Sequence, residues 1–148
     1  MKLLRARVVA VALLGMATLA SAHIKVTSAW VRVTVPGQQA TGAFMKITST
    51  EAVKLSSVSS SAAGFSQIHE MKMDEGVMKM RALPSGLDIP ADKAVELSSG
   101  GVHVMLMDLK QTISAGQSVP LDLRFTNAKG HLAAVSVVAK AGFTSPHK

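Results

Sequence analysis

The sequence contains no cysteine and no tyrosine among its 148 residues. These absences exclude disulfide bridges, thiolate metal sites, cysteine nucleophiles and acid–base roles for tyrosine. Aromatic residues make up only 3% of the chain, and its basic residues are scattered singly instead of in runs. Since nucleic-acid binding uses basic patches and rings that stack on bases, we expect no nucleic-acid partner.

Acidic residues are also scarce: Asp and Glu together number nine, mostly in predicted turns. No serine triad, acid pair or phosphate-binding loop stands out, so the sequence does not predict an enzyme. Methionine, in contrast, is abundant, with nine residues against four phenylalanines and one tryptophan. Because methionine is usually a minor gap filler in protein cores, this excess is the first positive indication of function.

The first 22 residues have the pattern of a secretory signal peptide. Basic residues up to Arg7 precede an apolar run from Val8 to Ala20, and Ala20-Ser21-Ala22 forms an A-x-A cleavage site. The apolar run is shorter than the roughly 20 residues that a membrane span needs. We therefore expect cleavage after Ala22, a periplasmic mature protein and no membrane anchor after cleavage.

Short segments rich in β-branched residues recur between turn signals through the rest of the chain. This pattern predicts an all-β domain, a sandwich or a barrel, over residues 23–141, and a short frayed tail over residues 142–148. The small Ser56–Ala63 patch reads as a loop. The predicted strands are Ile24–Val35, Ala43–Thr48, Val53–Ser57, Val95–Leu97, Val102–Leu109, Val119–Phe125 and Leu132–Val138.

The segment Ile68–Arg81 reads as a β-hairpin whose turn is Asp74–Val77. Side chains alternate across a strand, so every second residue on each arm lies on the same face. In this register the methionines of the two arms face each other in pairs, next to a histidine on the same face. These residues are Met73 with Met78, Met71 with Met80, and His69.

A second histidine and methionine group lies on the predicted strand Val102–Leu109. His103 and Met105 point the same way, about 7 Å apart along the strand, while the residues between and after them enter the core. Imidazole together with thioether is a ligand set that prefers Cu(I) to Mg²⁺, Ca²⁺ or Mn²⁺. Zinc is disfavoured, because its sites use Cys, His and carboxylate. A single methionine at such spacing is more often core filler, but the repeated Met-x-Met pairs beside histidines favour a metal site.

The stretch from His69 to Arg81, followed by Gly100–Leu109, resembles the periplasmic copper chaperones of the PCu(A)C family. The likeness extends to Ala29–Arg32, to Gly42–Met45 and to the late strand at Phe125, and so covers nearly the whole mature chain. Family members carry a histidine or methionine, then ten residues, a methionine, about twenty-one residues and His-x-Met. Here ten residues separate His69 from Met80 and twenty-two separate Met80 from His103, and we place the extra residue in the Leu83–Leu87 loop.

The resemblance implies a cupredoxin-like, Ig-like Greek-key β-sandwich that binds one Cu(I) per chain through His69, Met80, His103 and Met105. It also implies delivery of copper to a cuproprotein, namely the dinuclear copper centre of cytochrome c oxidase subunit II, often alongside a thiol-bearing copper assembly factor. We expect a monomer. Four further methionines could either support the ligands or fill the core: Met71, Met73, Met78 and Met107. Met45 is predicted to be a core residue.

Two alternatives remain at this point. Cleavage would make His23 the first residue, whose α-amine and imidazole together could chelate Cu(II) in a weak second site, or in a copper oxidase or monooxygenase. Such an enzyme needs a facing histidine, and none is evident; His131 and His147 are expected to be exposed. The other alternative is a periplasmic copper buffer for copper tolerance.

Overall fold

The computed structural model describes residues 22–146, which form ten β-strands and no helix. Nearly all of the predicted signal peptide and His147 lie outside these residues. Within the described range no helix is long and apolar enough to cross a membrane. The strands are β1 (Ile24–Arg32), β2 (Ala40–Ser49), β3 (Val53–Ser59), β4 (Ala63–Asp74), β5 (Val77–Ala82), β6 (Leu87–Ile89), β7 (Val95–Leu97), β8 (Val102–Leu109), β9 (Ser118–Asn127) and β10 (Leu132–Gly142).

The strands are hydrogen-bonded in the order β5-β4-β8-β2-β1-β10-β9-β3-β6. Strands β1 and β10 pair in parallel around Trp30 and Lys140, and the other pairs are antiparallel. The fold is the cupredoxin-like β-sandwich that the resemblance implied.

Alternation along the strands builds the core. In β9 the fully buried Leu121, Leu123 and Phe125 alternate with exposed Asp122 and Arg124. Removing such large side chains from water is the main favourable term in folding, at about 25 cal/mol per Å² of apolar surface. The other completely or almost completely buried large side chains are Val31, Met45, Ile47, Leu55, Ile89, Leu97, Val104, Leu106 and Ile113. The prediction that Met45 is core is confirmed.

Strands β2, β9 and β10 are each longer than predicted, and three other predicted boundaries also differ from the structure. The first strand ends at Arg32 and not at Val35, because Thr34 N donates to the carbonyl of Ile113, which lies outside the strands. The predicted Ser56–Ala63 loop was wrong, because β3 continues to Ser59 with Val58 buried in the core and β4 begins at Ala63.

The predicted tail also begins one residue too early. Gly142 is the last residue of β10 and pairs with Arg32, and its carbonyl accepts a hydrogen bond from Val33 N at 3.0 Å. Beyond it, Phe143 lines a surface cleft together with Trp30. The segment 143–145 therefore lies beside the strand that carries the tryptophan.

Strand β2 holds two neighbours along one of its edges. Its first half, Ala40–Ala43, pairs with β8, and its second half, Met45–Ile47, pairs with β7. The short connection between β7 and β8 is closed by hydrogen bonds from Ser98 N to Val102 O at 2.9 Å and from Gly101 N to Ser98 O at 3.2 Å. One strand thus fixes both ends of this connection beside the histidine strand β8.

Candidate metal centre

The β4–β5 hairpin has the register that the sequence predicts. Met71 lies opposite Met80 and Met73 lies opposite Met78. The turn between the strands consists of Glu75 and Gly76, whose φ angles are 50° and 78°. Two positive φ angles are what a two-residue type I′ turn requires, and this turn fixes the register of the paired methionines.

Ion pairs lie on the opposite face of the hairpin. Arg81 pairs with Glu70, which is directly across the ladder, and Lys79 Nζ lies 2.7 Å from Asp74 Oδ2. Exposed pairs of this kind each contribute only about 0–1 kcal/mol. Together they favour one register, and therefore keep the methionines on one face.

His69 on β4 lies directly opposite His103 on β8. Both side chains are buried, with 8% and 5% of their surface exposed, and their ring centroids are 6.2 Å apart. Histidine is rarely this buried without a partner for both ring nitrogens, so the hydrogen bonds of the two rings decide their chemistry.

Each ring has one nitrogen engaged. His103 Nδ1 lies 3.1 Å from the carbonyl oxygen of Gly101, which can only accept, so Nδ1 carries the proton and Nε2 the lone pair. His69 Nε2 donates to Gln67 Oε1 at 3.0 Å, which leaves the lone pair on Nδ1. That Nδ1 is buried and has no hydrogen-bond partner. Both imidazoles thus offer one free lone pair, and a metal ion would satisfy the unpartnered nitrogen of His69.

Burial, and secondarily the neighbouring His103, lower the pKa of His69 below its ordinary value of 6.5. Both causes penalise the protonated ring. His69 therefore remains neutral at neutral pH. A neutral imidazole is the form that binds metal.

A cleft of about 270 Å³ lies beside the histidines and is lined by three of the four predicted ligands, Met80, His103 and Met105. Met80 is 49% exposed, and Met105 is half-buried. The fourth, His69, does not line the cleft but lies opposite His103. Met71, which faces Met80 across the hairpin, also lines the cleft, so its sulfur is a further candidate ligand there.

The wall of the cleft contains an aromatic cluster that sequence reasoning missed as part of the site. Phe44 is buried, with its ring centroid 4.6 Å from that of Trp30 and 6.1 Å from that of His103. The guanidinium of Arg32 lies 5.5 Å from the Phe44 centroid, and no ion pair involves this arginine within residues 22–146. A Cβ on Gly42 would lie 2.6 Å from the Phe44 ring, so glycine makes room for it. Because side chains alternate along a strand, Gly42 and Phe44 lie on the same face, and this spacing is the sequence signal for the arrangement.

The remaining methionines and histidines separate by exposure. Met73 and Met78 are 60% and 45% exposed, which excludes the core-filler interpretation for both. His131 is exposed, as predicted, and His23 is exposed with its backbone N donating to Thr50 Oγ1 at 3.0 Å.

In the described part of the chain, no three or more His, Cys, Asp or Glu side chains gather into a metal-binding group. The soft donors that the cleft offers beside the histidines are the thioethers of Met71, Met80 and Met105. This donor set fits Cu(I) and does not fit Zn²⁺, Mg²⁺ or Ca²⁺.

The family model described as "Putative lipoprotein LpqE-like" matches residues 24–137, which include all of these side chains. The chain belongs to this family. The family is one of PCuAC copper-binding domains and not of enzymes, so the resemblance stated from the sequence is confirmed, and so is the prediction of a non-enzyme.

Relatives agree with this assignment. The "Putative lipoprotein Lxx21020" of Leifsonia xyli subsp. xyli is 34% identical over 160 aligned residues, covering 99% of this chain and 96% of the relative. Its name fits an extracytoplasmic protein. These 148 residues contain no cysteine, so they offer no thiol for attaching a lipid.

Solved structures show the same fold. The apo PCuAC domain from PmoF1 is 21% identical, with a TM-score of 0.60 over 80% of this chain and 94% of that domain. The solution structure of Cu(I)-bound DR1885 from Deinococcus radiodurans is 26% identical, with a TM-score of 0.59 over 84% of this chain and 78% of that one.

Proposed function

We propose that this protein is a periplasmic copper chaperone that carries one Cu(I) ion bound by His69, Met80, His103 and Met105. The observation that carries the proposal is the pair of buried histidines in register on β4 and β8, each with one free lone pair, beside a cleft lined by thioethers. Membership of a copper-binding family supports it.

The donor set determines both the selectivity and the pH dependence. Thioether sulfur carries no proton, so Cu(I) and protons compete only for the two imidazoles. The lowered pKa of His69 moves this competition to lower pH, so His69 stays available as a ligand in mildly acidic surroundings. Thioether-rich coordination stabilises Cu(I), which suits carriage better than redox cycling.

Exposure of one ligand favours carriage over storage. Met80 is 49% exposed, on an edge strand whose six residues are all exposed, whereas the two histidines are buried. An incoming ligand from a partner can therefore replace the Met80 sulfur first, while the imidazoles still hold the ion. A copper buffer has no need for a ligand that a partner can reach.

The recipient is proposed to be the dinuclear copper centre of cytochrome c oxidase subunit II, with a thiol-bearing assembly factor taking part. These assignments follow from the resemblance to the family, as does the monomeric state. The test is to mix the Cu(I)-loaded chain with the purified, copper-free copper domain of that subunit and follow the visible absorption of the assembled centre. A chain that retains its copper in the presence of this domain and the assembly factor would favour the buffer instead.

Cu(I) titration against a competing chromogenic chelator tests the binding site. One tightly bound equivalent is expected, and His103→Ala and Met80→Ala should each weaken binding at least tenfold. His131→Ala is the matched control, because His131 is exposed and lies outside the cleft. Unchanged affinity in both site variants would refute the ligand assignment. A weak Cu(II) site at His23 is a separate proposal, tested by acetylating the α-amine of the mature chain.

A further inference from the structure

The outer end of the β4–β5 hairpin carries a second pair of methionines that the proposed site does not use. Met73 and Met78 lie directly opposite each other, two residues farther from the histidines than Met71 and Met80. Since side chains alternate along a strand, both pairs lie on the same face as His69. The hairpin thus carries four sulfur atoms in two successive cross-strand pairs.

Packing does not account for the outer pair. Met73 and Met78 are 60% and 45% exposed, and neither contributes to the buried core. An exposed thioether gains little from the hydrophobic effect, which depends on area removed from water. What these side chains do offer is two soft donor atoms open to solvent.

The spacing allows an ion to move from one pair to the next. Directly opposite residues have Cβ atoms about 4.5–5.5 Å apart, so two thioethers across the ladder can bind one ion together. Successive pairs on one face are separated by about 7 Å along the strand. Methionine has three rotatable side-chain bonds and can cover part of this distance by changing rotamer.

The hairpin holds these pairs in place although it extends beyond the core. Its type I′ turn and the ion pairs on its other face, Lys79 with Asp74 and Arg81 with Glu70, fix the register. Glu70 and Asp74, the carboxylates on the hairpin's strands, alternate onto the opposite face, so neither would recruit a hard cation to the sulfur-bearing face.

We propose that Met73 and Met78 form an outer Cu(I) site through which the ion enters and leaves the inner site by way of Met71 and Met80. This inference rests on the proposed function. Each transfer is a ligand exchange: one sulfur–copper bond forms as another breaks. Copper stays Cu(I), and no proton is released because thioethers carry none.

Silver titration followed by NMR tests the outer site. Ag(I) is a soft monovalent cation that does not change oxidation state here, and the methionine ε-methyl groups of the whole chain are labelled with ¹³C. We expect the first equivalent to shift the methyls of Met80 and Met105, and the second to shift those of Met73 and Met78. The buried Met45 should not move.

The double variant Met73→Leu/Met78→Leu keeps size and apolarity and removes both sulfurs. It should lose the second equivalent, bind the first within about twofold of the wild-type affinity, and take up Cu(I) from a small-molecule chelate at least threefold more slowly. Met107→Leu, on β8, is the matched control and should change none of these quantities.

If the methyl signals of Met73 and Met78 do not shift at two equivalents of Ag(I), the outer site is refuted. An unchanged uptake rate in the double variant would also refute it. A large loss of first-equivalent affinity in that variant would also overturn it, since the two sites would then be one. Failure of the proposed function has a different signature: His103→Ala would keep the first tight equivalent, whatever happens at Met73 and Met78.

Discussion

Gln67 determines which nitrogen of His69 has a free lone pair, and its replacement is a sharp test of the proposed copper site. Its Oε1 accepts the Nε2 proton of His69 at 3.0 Å, which leaves the Nδ1 lone pair buried and unpartnered. In Gln67→Leu the acceptor is lost while the length of the side chain is nearly kept. The ring is then free to carry its proton on Nδ1, and in that form the buried Nδ1 has no lone pair to offer the ion.

The expected size of the effect follows from this single hydrogen bond. A neutral hydrogen bond contributes about 0.5–1.5 kcal/mol net, which corresponds to roughly two- to tenfold in an equilibrium constant. Groups that orient a metal-binding histidine typically change affinity by about 10–100-fold. Because Gln67 is exposed, we expect an effect at or below the bottom of that range, about three- to tenfold weaker Cu(I) binding.

The assay is chelator competition at pH 7.5, with His69→Ala and Gln67→Glu measured in parallel. His69→Ala should lose more affinity than Gln67→Leu, and Gln67→Glu, which keeps the acceptor, should stay within about twofold of wild type. If Gln67→Leu binds as tightly as wild type while His69→Ala is weakened, the argument from the tautomer is wrong. If neither is weakened, His69 is not a ligand.

Three further predictions concern the apo protein. Because the pKa of His69 is lowered below 6.5, the unfolded chain binds a proton more readily than the folded chain, and stability should fall as pH drops below about 6.5. In denaturant unfolding, His69→Gln should reduce the stability lost between pH 7.5 and 5.5. An equal loss in the variant and the wild type would contradict this. Gly42→Ala should displace the buried ring of Phe44 and cost about 1–3 kcal/mol, while Gly100→Ala, with nothing nearby, should be neutral in the same assay; equal midpoints would show that the ring moves freely. Glu75→Asn should relieve a φ of 50° and slow amide hydrogen exchange in the β4–β5 hairpin by a few fold; faster exchange would argue against a strained turn.

The methionine hairpin was predictable because its determinants are local. A turn centred on Gly76, with period-2 alternation on both sides, specifies which residues face each other, and the observed pairing follows it. The orientation of β8 was equally predictable, because burying Val104 and Leu106 in the core places His103 and Met105 on the other face. Exposure of Met73 and Met78 was not predictable, because it depends on how far the hairpin extends past the sandwich.

Long-range contacts account for what sequence reasoning missed. Strand β6 has only three residues and is held by its pairing with β3, so no local pattern marks it. The aromatic wall joins Trp30 on β1, Phe44 on β2 and His103 on β8, which come together only through the order of strands. The histidine tautomers depend on Gln67 and Gly101, which spacing alone could not assign.

The double pairing of β2 has a consequence for how fast the protein can take up its ion. The same strand anchors β7 and β8 on either side of the connection that carries Ser99 at the rim of the cleft. Because one strand holds both, we expect the rim and the floor of the cleft to move together and the pocket to be formed before the ion binds. Loading should then need little rearrangement of the backbone, and we expect its rate to follow the mobility of the methionine side chains.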